Sequence, residues 1–368
     1  METLKTIPVA APRIESEEKQ AVLAVLESGQ LAQGPVTEAF EREFAAWCGV
    51  KHAVAVNSGT AALHLLMLAH GVGPGDEVIT SPFTFVASAN AALFVGARPV
   101  FVDIELDTYC LDPAKLEAAI TPKTKVVMPV DLYGHPAQMA ELREIADRHG
   151  VLLVEDACQA HGAALGRARA GAMGVSATFS FYPTKNITTG EGGMVTTDDD
   201  AVARRVGMLR QHGASERYHH DLLGYNFRMT DIAAAIGRAQ LKKLDRWNEA
   251  RRRNASVLDE GLAGVPGVRT PRERPGAHHV YHQYTVLIDG DRDRFQARLR
   301  ELGVGSAVHY AVPVHKQPLY LDLGYGEVSM PNSERAAAHV LSLPVHPALT
   351  ESDLDRIVDA VRKVATTS

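Results

Sequence analysis

Lysines normally lie on solvated faces, so one lodged between an apolar strand and a glycine turn stands out. Lys185 occupies such a place, in Thr178-Phe179-Ser180-Phe181-Tyr182-Pro183-Thr184-Lys185-Asn186, followed by Gly190-Glu191-Gly192-Gly193. Reduced solvation lowers a lysine's pKa from about 10.4 toward neutrality, which an imine-forming or general-base lysine requires. Upstream, Asp156 ends the apolar run Val151–Val154 within Glu155-Asp156-Ala157-Cys158-Gln159-Ala160-His161-Gly162. A carboxylate shielded there needs a cation, a metal or a hydrogen-bond donor; a strand-end aspartate capping its own turn is the structural alternative. A third segment, Asn57-Ser58-Gly59-Thr60-Ala61-Ala62, joins a strand to a helix with glycine at the bend. The free N–H groups of such a helix start, with the Ser58 and Thr60 hydroxyls, suit an anion, although the same residues suit an ordinary N-cap. Pro82-Phe83-Thr84-Phe85 places aromatics where Phe85 can either pack in the core or stack on a flat ring.

These segments need elements that bring them together. Strand-like runs are expected at 53–56, 77–80, 99–102, 125–130, 151–155, 177–181 and 194–197, with amphipathic helices at 60–70, 85–95 and 136–149 between them. Buried strands alternating with helices of about 10–15 residues imply βαβ units and a mostly parallel sheet covered on both faces. Such sheets gather ligands at the carboxyl ends of their strands, where Asn57, Ser81, Asp131 and Asp156 fall and near which Lys185 lies. Before the sheet, a helix from 14 to 28 with Ser16 as its cap and a second opening at Pro35 are expected. After it come a helical stretch from 229 to 261, a linker from 265 to 277, and strand, helix, strand and helix. We therefore expect a large α/β domain at 1–245 and a smaller C-terminal α+β domain at 246–368. The basic triplet 251–253 reads as a solvated helix face.

Composition bounds the function. The chain has 368 residues, 46% hydrophobic and 22% charged, with a formal charge of −6, so a sizeable core is expected and disorder is not the main state. That acidic balance gives no footprint for nucleic acid or anionic membrane. Cys48, Cys110 and Cys158 are scattered without a CxxC pair, which fits a reducing compartment. The first residues lack the pattern of a signal peptide, and no run approaches the roughly 20 apolar residues of a membrane span; a cytoplasmic location is expected. Gly71-Val72-Gly73-Pro74-Gly75 has the wrong spacing for a dinucleotide fold. The pairs His219-His220 and His278-His279 are adjacent and share no helix face, so no metal site is expected.

An anion cradle, a stacking aromatic, a shielded carboxylate and a poised lysine match the needs of one cofactor, pyridoxal 5′-phosphate. The chain resembles the DegT/DnrJ/EryC1/StrS family of sugar aminotransferases, of fold type I (aspartate aminotransferase-like). The resemblance runs from Gly29-Gln30-Leu31-Ala32-Gln33-Gly34-Pro35 to Leu341-Ser342-Leu343-Pro344-Val345-His346. Its most specific parts are Asn57–Leu63, Gly73–Thr80, Asp156–Ala163, Ser180–Asn186 with Gly190–Gly193, and Gly224–Asp231.

The resemblance implies that Lys185 forms an imine with the cofactor aldehyde and then shuttles the proton. It implies that Asp156 pairs with the pyridine nitrogen and that Gln159 lies near the phenolic oxygen. Phe85 would stack on the ring, and Gly59, Thr60 and Ser180 would contact the phosphate. Asn226 would reach the phosphate from a neighbouring subunit, making the sites interfacial in a homodimer. His309, Tyr310 and His315 would border the sugar pocket. Cys158 replaces a frequent alanine, with no consequence expected for the chemistry. Lysine at 185, where dehydrating members carry histidine, favours amino transfer. The implied reaction moves an amino group from L-glutamate to a nucleotide-linked keto-sugar by a ping-pong route, with 3-keto acceptors favoured slightly over 4-keto ones. A carbocyclic ketone of the inosose type, or a cofactor-binding regulator without turnover, are the alternatives.

Overall fold

The computed structural model describes residues 6–366. Seven apolar runs form one sheet: β1 (His52–Val56), β2 (Glu77–Thr80), β3 (Arg98–Phe101), β4 (Thr124–Val127), β5 (Leu152–Asp156), β6 (Ser176–Ser180) and β7 (Gly193–Thr197). Their order is β1-β7-β6-β5-β4-β2-β3. β7 alone runs against its neighbours; the other pairings are parallel. The carboxyl ends of six strands therefore share one rim, as the βαβ alternation predicts. The expected strand 125–130 stops at Val127, because the chain beyond leaves the ladder to pair singly, Val130 with Asp156.

The longer helices of this part are α1 (Ser16–Ser28), α2 (Pro35–Cys48), α3 (Gly59–Ala69), α4 (Ala87–Phe94), α5 (Met139–His149), α6 (Asp200–Leu209), α7 (Asp231–Leu241) and α8 (Leu244–Leu262). Successive strand residues point to opposite faces. Ala53, Ala55, Ile79, Val127, Leu153, Phe179 and Met194 thus pack with Phe40 and Phe44 of α2 and Leu142 of α5. Val54, Val56, Val78, Val126, Val154 and Val195 pack with Leu63 and Leu66 of α3 and Val206 of α6. Helices on both faces explain why the strands lack polar alternation.

A third core is built on the antiparallel strands β8 (Val268–Arg269), β9 (Tyr284–Ile288) and β10 (Val340–Leu343), in that spatial order. Helices α9 (Arg292–Glu301), α10 (Pro331–His339) and α11 (Glu351–Ala365) accompany them. Leu354, Ile357, Val358, Val361 and Val364 recur at helical spacing on α11 and are all buried in this core. α8 serves both parts: Leu244 and Trp247 join the first core, while Ala255, Leu258 and Leu262 join the third. A boundary drawn at 245/246 falls inside this helix.

Three local expectations are corrected. The cap of α1 is Glu15 and not Ser16, its backbone N–H held at 2.8 Å by the carboxylate of Glu18. The stretch 265–277 does more than link, since it carries β8, and Ala277 pairs with Leu165 of a short hairpin. The triplet 251–253 is not a uniformly solvated face: Arg251 is buried and Arg252 pairs with Glu273 at 2.6 Å, leaving Arg253 exposed. An arginine's apolar stem and planar head tolerate burial where carbonyls surround the head.

Asp231 at the start of α7 ties distant segments together, its buried carboxylate closing the amino end of α2. It accepts from the N–H groups of Gly34 and Thr37 at 2.9 Å and from the Thr37 hydroxyl at 2.6 Å. Losing this cap strands buried donors, so Asp231→Ala costs about 2–4 kcal/mol. Urea unfolding checks it, and a midpoint equal to that of the wild type would show that α2 is held by its apolar face alone.

Candidate active site

The turn that follows β1 leads directly into α3. Ser58 caps this helix, its Oγ accepting the N–H of Ala61 at 3.1 Å, and the first-turn N–H groups of Gly59 and Thr60 are those a helix leaves without an internal partner. The amino end of α3 presses on the sheet. A Cβ at Gly59 would stand 2.7 Å from Cβ of Ser180, and one at Gly193 would stand 2.3 Å from the Ser58 carbonyl oxygen. Glycine at both positions is therefore a packing requirement that sets the helix start against the rim of β6 and β7.

This rim opens into a cavity of about 720 Å³. Of the residues singled out from the sequence, Gly59, Thr60, Phe85, Asp156, Gln159, Ser180, Lys185, His309 and Tyr310 line it. Asp156 closes β5 and is buried; Ser88 of α4 donates its hydroxyl to Oδ2 at 2.6 Å, and the N–H of Cys158 donates to Oδ1 at 3.2 Å. The hydroxyls of Ser88 and Thr84 are 3.1 Å apart. A shielded carboxylate needs polar partners, and these two donors leave it placed to meet a cation in the cavity.

Lys185 lies in the loop after β6, its backbone N–H bonded to the Tyr182 carbonyl at 2.9 Å. Burial pushes its amine below the ordinary lysine value, opposed by the nearby Asp156 carboxylate. Burial beside Asp156 pushes the Cys158 thiol well up, so this cysteine stays protonated. Burial and the Lys185 charge push His309 down to about 4, leaving a neutral ring at ordinary pH. Gln159 is fixed at both ends, accepting the Tyr133 N–H at 2.9 Å and donating to Tyr310 Oη at 3.1 Å. Phe85 and Tyr310 stand with ring centroids 6.2 Å apart, and 55% of the Phe85 surface is open. Phe83 instead is fully buried against Tyr109 and Tyr133.

Two expected site residues lie elsewhere. His315 is buried away from the cavity, its Nε2 3.0 Å from the Glu334 carboxylate and its ring beside Phe101. The tight turn Val314–Lys316 rotates it inward, so it does not border the pocket. Asn226 is exposed on the strip that bridges to Gln211, outside the cavity of its own chain.

Other cavity residues escaped the sequence reading. Ser88 stands four positions after Thr84, a spacing that the aromatic pattern around Phe85 obscured. His282 and Gln283 precede β9, which begins at Tyr284, and both line the cavity. Among the described residues, no group of histidines, cysteines and carboxylates is placed to hold a metal ion, and no helix is long and apolar enough to cross a membrane.

The cavity fits pyridoxal 5′-phosphate in each of its chemical demands: a helix start for the phosphate, a held carboxylate for the ring nitrogen, an exposed aromatic for the ring face and a desolvated amine for the aldehyde. Comparison with known proteins agrees with this reading. The chain is 44% identical over 360 residues to a dTDP-3-amino-3,4,6-trideoxy-α-D-glucose transaminase of Streptomyces venezuelae, covering 98% of this chain and 95% of the relative. It superposes on S. venezuelae DesV in complex with a ketimine intermediate with a TM-score of 0.93 at 45% identity, over 95% of this chain and 94% of the other. It also superposes on NtdA of Bacillus subtilis with bound cofactor PMP, with a TM-score of 0.91 at 32% identity, over 99% and 86% of the two chains. The sequence model of the DegT/DnrJ/EryC1/StrS aminotransferase family matches residues 12–362, and the chain belongs to that family.

Proposed function

We propose that this aminotransferase, whose cofactor is pyridoxal 5′-phosphate, moves an amino group from L-glutamate to a nucleotide-linked keto-sugar, with the ketone at C3. When bound, the cofactor supplies an aldehyde that condenses with amines and a ring that accepts the electron pair freed when a Cα–H bond breaks. The observation that carries the reading is the pairing of a desolvated Lys185 amine with the buried Asp156 carboxylate in one cavity.

The chain's own groups divide the work. The first turn of α3, with Thr60 and Ser180, anchors the phosphate. Asp156, held by Ser88, keeps the ring nitrogen protonated. Lys185 Nζ, with its proton affinity lowered by burial, takes the proton from the donor's Cα in the first half-reaction and returns one to the sugar carbon in the second. Glutamate leaves as its 2-oxoacid before the sugar enters, which is the ping-pong order. His309 and Tyr310 wall the space left for the sugar. The neutral His309 ring, its Nδ1 3.0 Å from Ser342 Oγ, leaves Nε2 to meet a hydroxyl of the ligand. The C3 assignment rests on the 3-amino product in the S. venezuelae relative's name.

We further propose a homodimer whose partner completes each site. Among the described residues lining the cavity Lys185 is the one lysine or arginine, so the two carboxylates of the donor and a sugar diphosphate call for cations from elsewhere. Asn226 lies exposed outside its own cavity, and Tyr218 and Leu223 beside it are 82% and 88% exposed. That strip is placed to reach a second copy.

Coupled turnover with glutamate and a dTDP-3-keto-sugar tests the assignment of Lys185. Lys185→Ala removes turnover, whereas a variant that retained wild-type rates would place the proton transfer elsewhere. Ser88→Ala removes a charge-assisted hydrogen bond and weakens cofactor uptake about tenfold, read by fluorescence titration; unchanged affinity would mean that Asp156 needs no second donor. The dimer reading predicts complementation. Lys185→Ala and Asn226→Ala chains, mixed and allowed to exchange, regain about a quarter of wild-type activity through hybrid dimers with one intact site. Asn226 acting within its own chain would give no recovery.

A further inference from the structure

Buried polar groups without partners are rare enough that each asks for an explanation. Arg251 on α8 carries one. Its Nη1 donates to the carbonyls of Tyr281 at 3.1 Å and His282 at 3.4 Å, while its buried Nε–H has no partner among the described residues. Burial lowers its pKa only to about 10, so the guanidinium is charged at neutral pH. Asn186, next to Lys185, has the complementary deficit. Its amide nitrogen donates to Asn248 Oδ1 at 2.8 Å and to the Val280 carbonyl at 3.2 Å. A carbonyl can only accept, so the Val280 bond fixes the orientation of the amide. Both amide hydrogens are then used, and Oδ1 is left buried without a donor.

The two side chains line one small cavity of about 20 Å³, bounded also by Arg13, Thr188, Gln240 and Trp247. Thr184 and Lys185 border both this cavity and the main one. An opening of this size takes one water molecule, and a water is stable there only with polar partners. Two residues that line the cavity carry such partners, an unmade N–H on Arg251 and an unmade acceptor on Asn186.

We infer that a single bound water fills this cavity, accepting from Arg251 Nε–H and donating to Asn186 Oδ1, and that Arg251 acts through it as a positioning residue for Lys185. The water closes a belt of hydrogen bonds. One end holds the His161 carbonyl through Asn248 at 2.7 Å, the middle holds the Lys185 loop through Asn186, and the other end holds through Arg251 the carbonyls of Tyr281 and of His282, a residue that lines the main cavity. The water stands on the two orphaned atoms and the cavity alone; the effect on Lys185 rests on its assignment above.

A high-resolution crystal structure of the holoenzyme reads the first part. The expected result is one water within about 2.7–3.2 Å of both Arg251 Nε and Asn186 Oδ1. A dry cavity, or Arg251 in direct contact with Asn186, overturns it. Arg251→Lys reads the second part, since it keeps the charge and loses the Nε–H. It is expected to lower kcat about tenfold with KM for glutamate changed less than about twofold. It is also expected to shift the pH midpoint of the holoenzyme's visible absorbance by about half a unit or more. An absorbance titration coincident with that of the wild type overturns the positioning role, whatever the variant's thermal stability. Should Arg251→Lys not fold, Asn186→Ala provides the same spectroscopic readout. A water seen with an unshifted titration leaves the assignment of Lys185 as the base intact, because turnover by Lys185→Ala tests that separately.

Discussion

An amine and a carboxylate withdrawn from water on the same cavity wall are the constraint on which the rest of this structure depends. Burying either group alone is costly. β5 and β6 are parallel neighbours, so the residue that ends one and the loop that leaves the other meet at a single rim. Asp156 is held by a hydroxyl and an N–H, and Lys185 is kept less basic by burial. A held carboxylate at the end of β5 and a less basic amine in the loop after β6 thus share one cavity. The fold's layers serve that end: glycines at 59 and 193 let α3 abut the sheet, and the helix start faces the same opening.

Much of this was legible in the sequence because it is carried by short-range signals. Strand runs two-sidedly apolar, helices between them and glycine bends fix both the parallel sheet and the rim at which Asn57, Asp156 and Lys185 appear. Nine of the eleven expected site positions line the cavity; Asp156, Gln159, Ser180 and Lys185 do so from strand ends and the loops beyond, Gly59 and Thr60 from the helix start that follows β1. His315 was misplaced because a loop's sequence does not reveal which way a tight turn rotates its side chain. The burial of His315 is decided by Glu334 and Phe101, both distant in the chain. Ser88 was hidden in a helix whose first turn looks apolar, and its role exists only because α4 packs beside the end of β5.

Arg251 shows the same limit from the other side. A run of three arginines beside acidic residues has the pattern of a solvated face, and Arg253 keeps to it. Yet α8 is a shared helix whose two ends enter different cores, so one position of the triplet must turn inward between them. There its guanidinium meets the carbonyls that precede β9, and through them the wall that faces the cofactor cavity. The smaller C-terminal part is thereby stitched to the site by hydrogen bonds that no local pattern announces, among them the Tyr133 hydroxyl to the His309 carbonyl and the hold of Asp103 on the amino end of α10.

The central claim is that Lys185, and no other amine, carries the cofactor. Borohydride reduction of the protein with pyridoxal 5′-phosphate bound, followed by peptide mapping by mass spectrometry, tests it most directly. The account predicts one pyridoxyl adduct, on the peptide containing Lys185. An adduct on a different peptide, or none from protein saturated with the cofactor, would contradict it.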